Sequence, residues 1–193
     1  MMMRNYEIVN IFQDMVEKVY PTLKIRYSRN MNIEDIKEID CPKIKYIFGN
    51  AQYIKDEFDV LSKCNNVEKF PLIALFCPID EDRSDENYYT KAKVSLIIAC
   101  SSRKDWSNEK RETTSFENIL RPIYKRLLDV LKNDNRFDWG YSPVIKHKYS
   151  ENYSYGRYGA YTEKGDEISE PIDAINIRAL EIKITKPSNC NKR

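Results

Sequence analysis

Between Ala92 and Asp134 the chain changes its hydrophobic rhythm twice. Ala92 to Cys100 is short, apolar and β-branched, the pattern of a strand covered on both faces of a sheet. Ser101 to Glu112 is polar. From Thr113 onward Phe116, Ile119, Leu120, Ile123, Tyr124, Leu127, Leu128 and Leu131 return at spacings of three and four, which predicts a helix with one apolar stripe. Lys125, Arg126, Asp129 and Lys132 fall on its other face. Strand and helix each have an apolar side that only the other can cover, so this pair is the expected core. Pro122 lies inside the helical pattern and predicts a kink, or a restart near Ile123.

The same reading extends outward. Ile8, Ile11, Phe12, Met15, Val16 and Val19 predict a first helix over 5–19, stopped by Pro21. Leu23 to Tyr27 and Ile44 to Phe48 alternate as strands do, and Gly49-Asn50 marks a turn. Ser28 to Cys41 is polar, with room for one short helical turn at Ile33, Ile36 and Ile39. Ile54 to Leu61 fits helix or strand. Phe70 to Cys77 is a second strongly apolar strand. It is expected to form an antiparallel hairpin with the Val94 strand across an exposed acidic tip, Asp80 to Asn87. Ser142 to Lys148 is a further candidate strand, and Tyr149 to 168 reads as a tyrosine-rich loop. The closing strand spans 174–185, and its parity changes at Ala179-Leu180 as a β-bulge would produce. The expected fold is α+β: one domain over 1–193, two main helices, and a mostly antiparallel sheet of four to five strands around a 43–134 core.

Composition narrows the function. The 193 residues are 41% hydrophobic and 32% charged, enough for a globular core. A net charge of +2 leaves no footprint for DNA or RNA binding. No apolar run reaches the ~20 residues that span a bilayer, and the start lacks a signal peptide's apolar region. Cys41, Cys64, Cys77, Cys100 and Cys190 are widely spaced without a CxxC pair, so reduced thiols in a reducing cytoplasm are expected.

Candidate chemistry is sparse. His147, the single histidine, has no evident orienting partner or nucleophile and reads as a solvated strand residue. Asp80, Glu81, Asp82, Asp85 and Glu86 lack the alternating ligands, glycine and closing glutamate of an EF-hand, and read as a solvated tip or an electrostatic contact. Phosphate-binding and hydrolase motifs are missing, so no catalytic residue, metal or cofactor is expected. The most informative surface feature is the Tyr141 to Tyr161 segment, whose tyrosines offer large amphipathic area of the kind enriched at protein interfaces. Its basic members are few, Lys146, Lys148, Arg157 and Lys164; the alternative is a loop folded over its own core. Tyr149, Tyr153, Tyr155, Tyr158 and Tyr161 of this segment, with Tyr88 and the five acidic residues, form the expected subunit or partner interface.

Four phrases carry a family likeness: KFPLIALFCPIDED from Lys69, YYTKAKVSLIIACSS from Tyr88, SFENILRPIYKRLLDVL from Ser115 and PIDAINIRALEIKI from Pro171. Together with the first helix, their order resembles the tail terminator, or tail-completion, proteins of tailed bacteriophages, in particular those of Bacteroidetes phages. The resemblance implies a non-enzymatic virion protein, made in the host cytoplasm. It would form a homo-oligomeric ring beside portal, neck and tail proteins, with DNA only passing through the lumen and no membrane contact. Two alternatives stand beside it. One is a small cytoplasmic adaptor using the tyrosine segment. The other is a metal-dependent enzyme using Asp80, Glu81, Asp82 and His147.

Overall fold

A computed structural model describes residues 7–27, 37–63, 70–85, 88–103, 105–141, 144–155 and 171–185. Helix α1 (Ile8–Val19) buries the six residues its periodicity singles out, Ile8, Ile11, Phe12, Met15, Val16 and Val19. It starts three residues later than expected; the residues before Glu7 lie outside the described set. Pro21 falls in a single 3-10 turn, Tyr20–Thr22, after which β1 (Lys24–Tyr27) pairs antiparallel with β2 (Lys37–Asp40) as a small separate sheet. Ile39 is therefore a strand residue facing Ile25 across the pair, while Ile33 and Ile36, the rest of the expected helical turn, lie outside the described residues.

The main sheet contains β3 (Lys45–Gly49), β4 (Leu72–Phe76), β5 (Asp80–Asp82), β6 (Tyr89–Ser101), β7 (Lys148–Tyr155) and β8 (Ile172–Thr185), in the order β3-β4-β6-β8-β7 with β5 also on β6. The fold is α+β, as the sequence indicates. One pair, β3 and β4, is parallel. Parallel neighbours need a crossover, and helix α2 (Ala51–Lys63) lies between them in the chain. The ambiguous 54–61 stretch is thus helical. Asn50 starts it, its side-chain oxygen accepting from Tyr53 N–H at 2.8 Å. Gly49 leaves room for the Tyr53 ring, which a Cβ there would meet at 2.5 Å and displace.

The expected hairpin between the two apolar strands forms, with Leu72 to Leu75 opposite Ala99 to Leu96. Its connection is more ordered than a loop: Asp80–Asp82 adds β5 along the outer half of β6. The expected bulge also forms. Val94 faces Leu180 while Leu96 faces Ile177, so Arg178 and Ala179 stand against Ser95 alone. Ala179 takes φ +51 there.

The helix after β6 starts earlier than its apolar stripe suggests. Ser107 caps α3 (Asn108–Arg111), accepting from Lys110 N–H at 3.2 Å. The chain continues as a π-helical segment, Glu112–Leu120, and resumes as α4 (Arg121–Asn133) with Pro122 in its first turn. Helical backbone is unbroken across the change: Arg121 N–H donates to Phe116 O, and Pro122, which has no N–H to donate, follows it directly. Two apolar clusters result. On one face of the sheet α1, the π segment and α4 pack over Leu75, Val94, Leu96, Ile98, Ile177 and Leu180. On the other, Ile54 and Phe58 of α2 cover Ile47, Leu72, Ala74, Ile97, Ala99 and Ala174. The second layer is short. It stops before the half of the sheet formed by β5, the start of β6 and the end of β8.

Candidate functional site

That uncovered half-sheet is built by alternation. Thr90, Ala92 and Val94 turn into the core, while Lys91 and Lys93 face solvent; on β8, Leu180, Ile182 and Ile184 turn inward and Glu181 and Lys183 outward. Strand pairing sets the outward residues in rows. Asp80 stands beside Lys93, which stands beside Glu181; Asp82 stands beside Lys91, which stands beside Lys183. Lys93 reaches Glu181 at 3.1 Å, and Lys183 reaches Asp138 at 2.7 Å. Lys91 and Lys183 lie 5.2 and 4.6 Å from the centre of the Tyr89 ring, a cation–π arrangement. A groove of about 660 Å³ runs over these rows, walled by β5 on one side and by Trp139, Val144 and Lys146 on the other.

The opposite edge carries a second cluster. Arg121 donates to both oxygens of Glu151 at 2.8 and 2.9 Å and also to Glu112, joining α4, the π segment and β7. Tyr149 donates to Glu151, and Tyr153 to Glu112. Tyr153 packs on Phe116 at 4.4 Å and Tyr149 on Tyr124 at 4.9 Å. The Arg121 guanidinium holds the Glu112 and Glu151 carboxyls below their ordinary range. Burial, with the neighbouring carboxylates, pushes both phenols up, Tyr153 to about 12.

A third cluster is internal. Asp173, fully buried on β8, accepts from Arg111 Nη1 at 3.0 Å and Ser115 Oγ at 2.7 Å. Arg111 also donates to the carbonyls of Arg103 and Trp106. Nothing from solvent reaches it, so it serves as a tie between the helix and the sheet.

The sequence-derived candidates divide accordingly. Asp80, Glu81 and Asp82 form β5; Asp85 follows in a turn and accepts from the Tyr89 hydroxyl; Tyr88 is 68% exposed. Tyr149 and Tyr153 lie in strand β7, not in a loop, and are held by their own chain. The strand expected at 142–148 is displaced, because 144–147 run as irregular chain beside β8, with Glu181 N–H donating to Lys146 O, and regular pairing starts only at Lys148. Tyr155 ends β7; the side chain of Tyr155, and Glu86, Tyr158 and Tyr161 entirely, lie outside the described residues. Tyr88 stays with the acidic set, its N–H donating to Asp85 O at 2.8 Å, while Tyr149 and Tyr153 do not meet it, because β6 and β8 separate β5 from β7.

His147 is half-buried and bonded, to Tyr124 Oη at 2.7 Å and Ile145 O at 2.9 Å, so it is not the solvated residue expected. It is no neighbour of β5, and no group of three or more His, Cys, Asp or Glu among the described residues is placed to hold a metal ion. No described helix is long and apolar enough to cross a membrane. Residues missed by sequence reading are Lys91, Lys93, Glu181, Lys183 and Arg178. For the first four the signal lies in the strict alternation of charge at 91–93 and 181–183; Arg178, at the bulge, has none. No protein-family model and no curated protein matches the chain.

Proposed function

We propose that this chain is a structural subunit of an oligomeric ring at a phage neck or tail, a tail terminator or head–tail connector component. The observation that carries the reading is the presence of two unlike polar edges on one sheet, an acidic one at β5 and a tyrosine-bearing one at β7. Closed rings need heterologous contacts, in which two different patches of each subunit match. The element order that resembles the tail terminator family supports the same reading. A ring subunit contributes shape and contacts, which suits surfaces dominated by ion pairs and aromatic rings.

Light scattering on the purified chain across a concentration series tests the proposal, followed by electron microscopy of the assembled fraction. A closed oligomer with an axial opening is expected, each contact burying over ~1,000 Å². A chain monomeric at every concentration, with no affinity for neck or tail proteins, overturns it. The adaptor reading rests on Tyr88 and Tyr141, which are 68% and fully exposed. It is favoured if a single partner binds and self-assembly is absent.

A further inference from the structure

Lys148 and Arg178 are in direct register across β7 and β8. Like charges facing each other across strands repel. Both side chains are exposed, and neither forms an ion pair among the described residues. Lys146, exposed and equally without an ion pair among the described residues, precedes Lys148 by two residues and adds a third positive charge. The arrangement is therefore short of negative charge.

The missing charge is present on another edge of the same molecule. Asp80 and Asp82 project from β5 on the sheet face that also carries Lys148 and Arg178. Neither carboxylate has a close ion pair within the described residues: Lys93 is engaged by Glu181, Lys91 lies over Tyr89 and acts on Asp82 only through its field, and Asp82 accepts hydrogen bonds from Ser84 N–H and Oγ. No described strand pairs with the outer edge of β5 or of β7. Strand direction is also suitable. Each step from β5 to β6, to β8 and to β7 is antiparallel, so β5 runs opposite to β7. A second copy placed beside the first in the same orientation presents its β5 antiparallel to β7.

We infer that the acidic β5 edge of one copy docks on the basic β7 edge of the next, with Asp80 and Asp82 of one copy facing Lys148 and Arg178 of its neighbour. The inference rests on the ring reading and specifies its contact. The occupant is a second copy because this chain itself supplies the complementary charge on an open edge of fitting direction. Backbone pairing of the edges gives the contact its geometry, and the charges give it register and encounter rate.

Charge reversal in the full chain tests it. Lys148→Glu with Arg178→Glu makes both edges acidic; Asp80→Lys with Asp82→Lys makes both basic. Each double variant alone is expected to lose at least tenfold in self-association, read as mass by light scattering at low salt. An equimolar mixture of the two is expected to recover it, because every edge then meets its opposite. Carbodiimide, which joins carboxylates to lysines in contact, is expected to link Asp80 or Asp82 to Lys148 between wild-type copies. Assembly of both variants like wild type overturns this contact and leaves the ring reading standing. A wild-type chain that neither assembles nor cross-links overturns both. Binding of duplex DNA that disappears with Lys148→Glu and Arg178→Glu, without any cross-link, overturns the contact in favour of a phosphate ligand.

Discussion

Asp173 on β8 and Arg111 in α3 meet at 3.0 Å with side chains 0% and 3% exposed, a fully buried ion pair between two elements 62 residues apart in sequence. Removing one member of such a pair leaves an uncompensated charge in a region of low polarisability. Asp173→Ala is expected to cost about 3–5 kcal/mol in urea unfolding. The apolar double variant Arg111→Met with Asp173→Leu is expected to cost much less than the sum of the single changes. Equal, additive losses would show that the two groups do not act as a pair.

Ala179 holds φ +51, a left-handed conformation that costs an alanine roughly 1 kcal/mol. Ala179→Gly removes the steric part and adds some unfolded-state entropy. A net gain of about 0.5 kcal/mol is expected. Ala179→Val should lose more than 1 kcal/mol, since β-branched side chains are genuine outliers at positive φ. Thermal melts of both variants check the opposite signs.

Acid sensitivity centres on Asp134. Burial opposes its ionisation, but Arg136, with hydrogen bonds at 2.9 and 2.7 Å, and Lys18 at 3.2 Å outweigh it and hold the carboxyl far below the usual range. A depressed folded-state value means the group stabilises the fold above its unfolded value near 4, and that this contribution is lost as pH falls below it. The melting temperature is expected to drop between pH 5 and pH 2. Asp134→Asn should lower stability at neutral pH and flatten that slope; an unchanged slope would place the acid sensitivity elsewhere.

The large features of this fold can be read from residues alone. Helix α1, the β4–β6 hairpin and the bulge at Ala179 follow from apolar spacing; at Pro122 the helix does not break and restart but runs on from the π segment. What could not be read has physical reasons. In strand β7 the side that packs holds Tyr149 and Tyr153 with Glu151 between them, so its alternation is aromatic and broken by a charge; β8 pairing makes it a strand. The cap at Ser107 precedes any apolar residue of its helix. Glu112, Arg121 and Glu151 are far apart in sequence and meet only because the π segment and β7 run side by side. Of the candidate site, the acidic edge and two tyrosines were legible, but the lysines between them become a row only when β5, β6 and β8 pair.

Burial pushes the Cys41 thiol up to about 12 and the Cys100 thiol higher still, with the Asp173 charge adding to the latter. Thiols so placed stay protonated and shielded from reagents. In the folded chain a disulfide reagent is expected to spare Cys41 and Cys100, while half-exposed Cys77 reacts. All three should react in urea. Modification of Cys100 at native rates would indicate that the helix layer opens readily.

Arg121 clamps β7 to the helices through its two-point bond to Glu151. Charged hydrogen bonds contribute about 1.5–3 kcal/mol, less here because the guanidinium is 32% exposed. Arg121→Ala is expected to lower stability by about 1 kcal/mol and to speed amide exchange in 148–155 more than in β4 or β6. Uniform exchange across the sheet would exclude a local clamp.

The bulge has one more consequence. Before it, Ile175 and Ile177 turn toward the helices at odd positions; after it, Leu180, Ile182 and Ile184 do so at even ones. One extra residue thus works as a phase shift in the alternation of β8. Loss of Arg178 or Ala179 would be read out by every position downstream, turning Glu181 and Lys183 into the core and three aliphatic side chains into water. A single-residue deletion is therefore worse here than any substitution at the same place. The charged face of the half-sheet exists only while that count is kept.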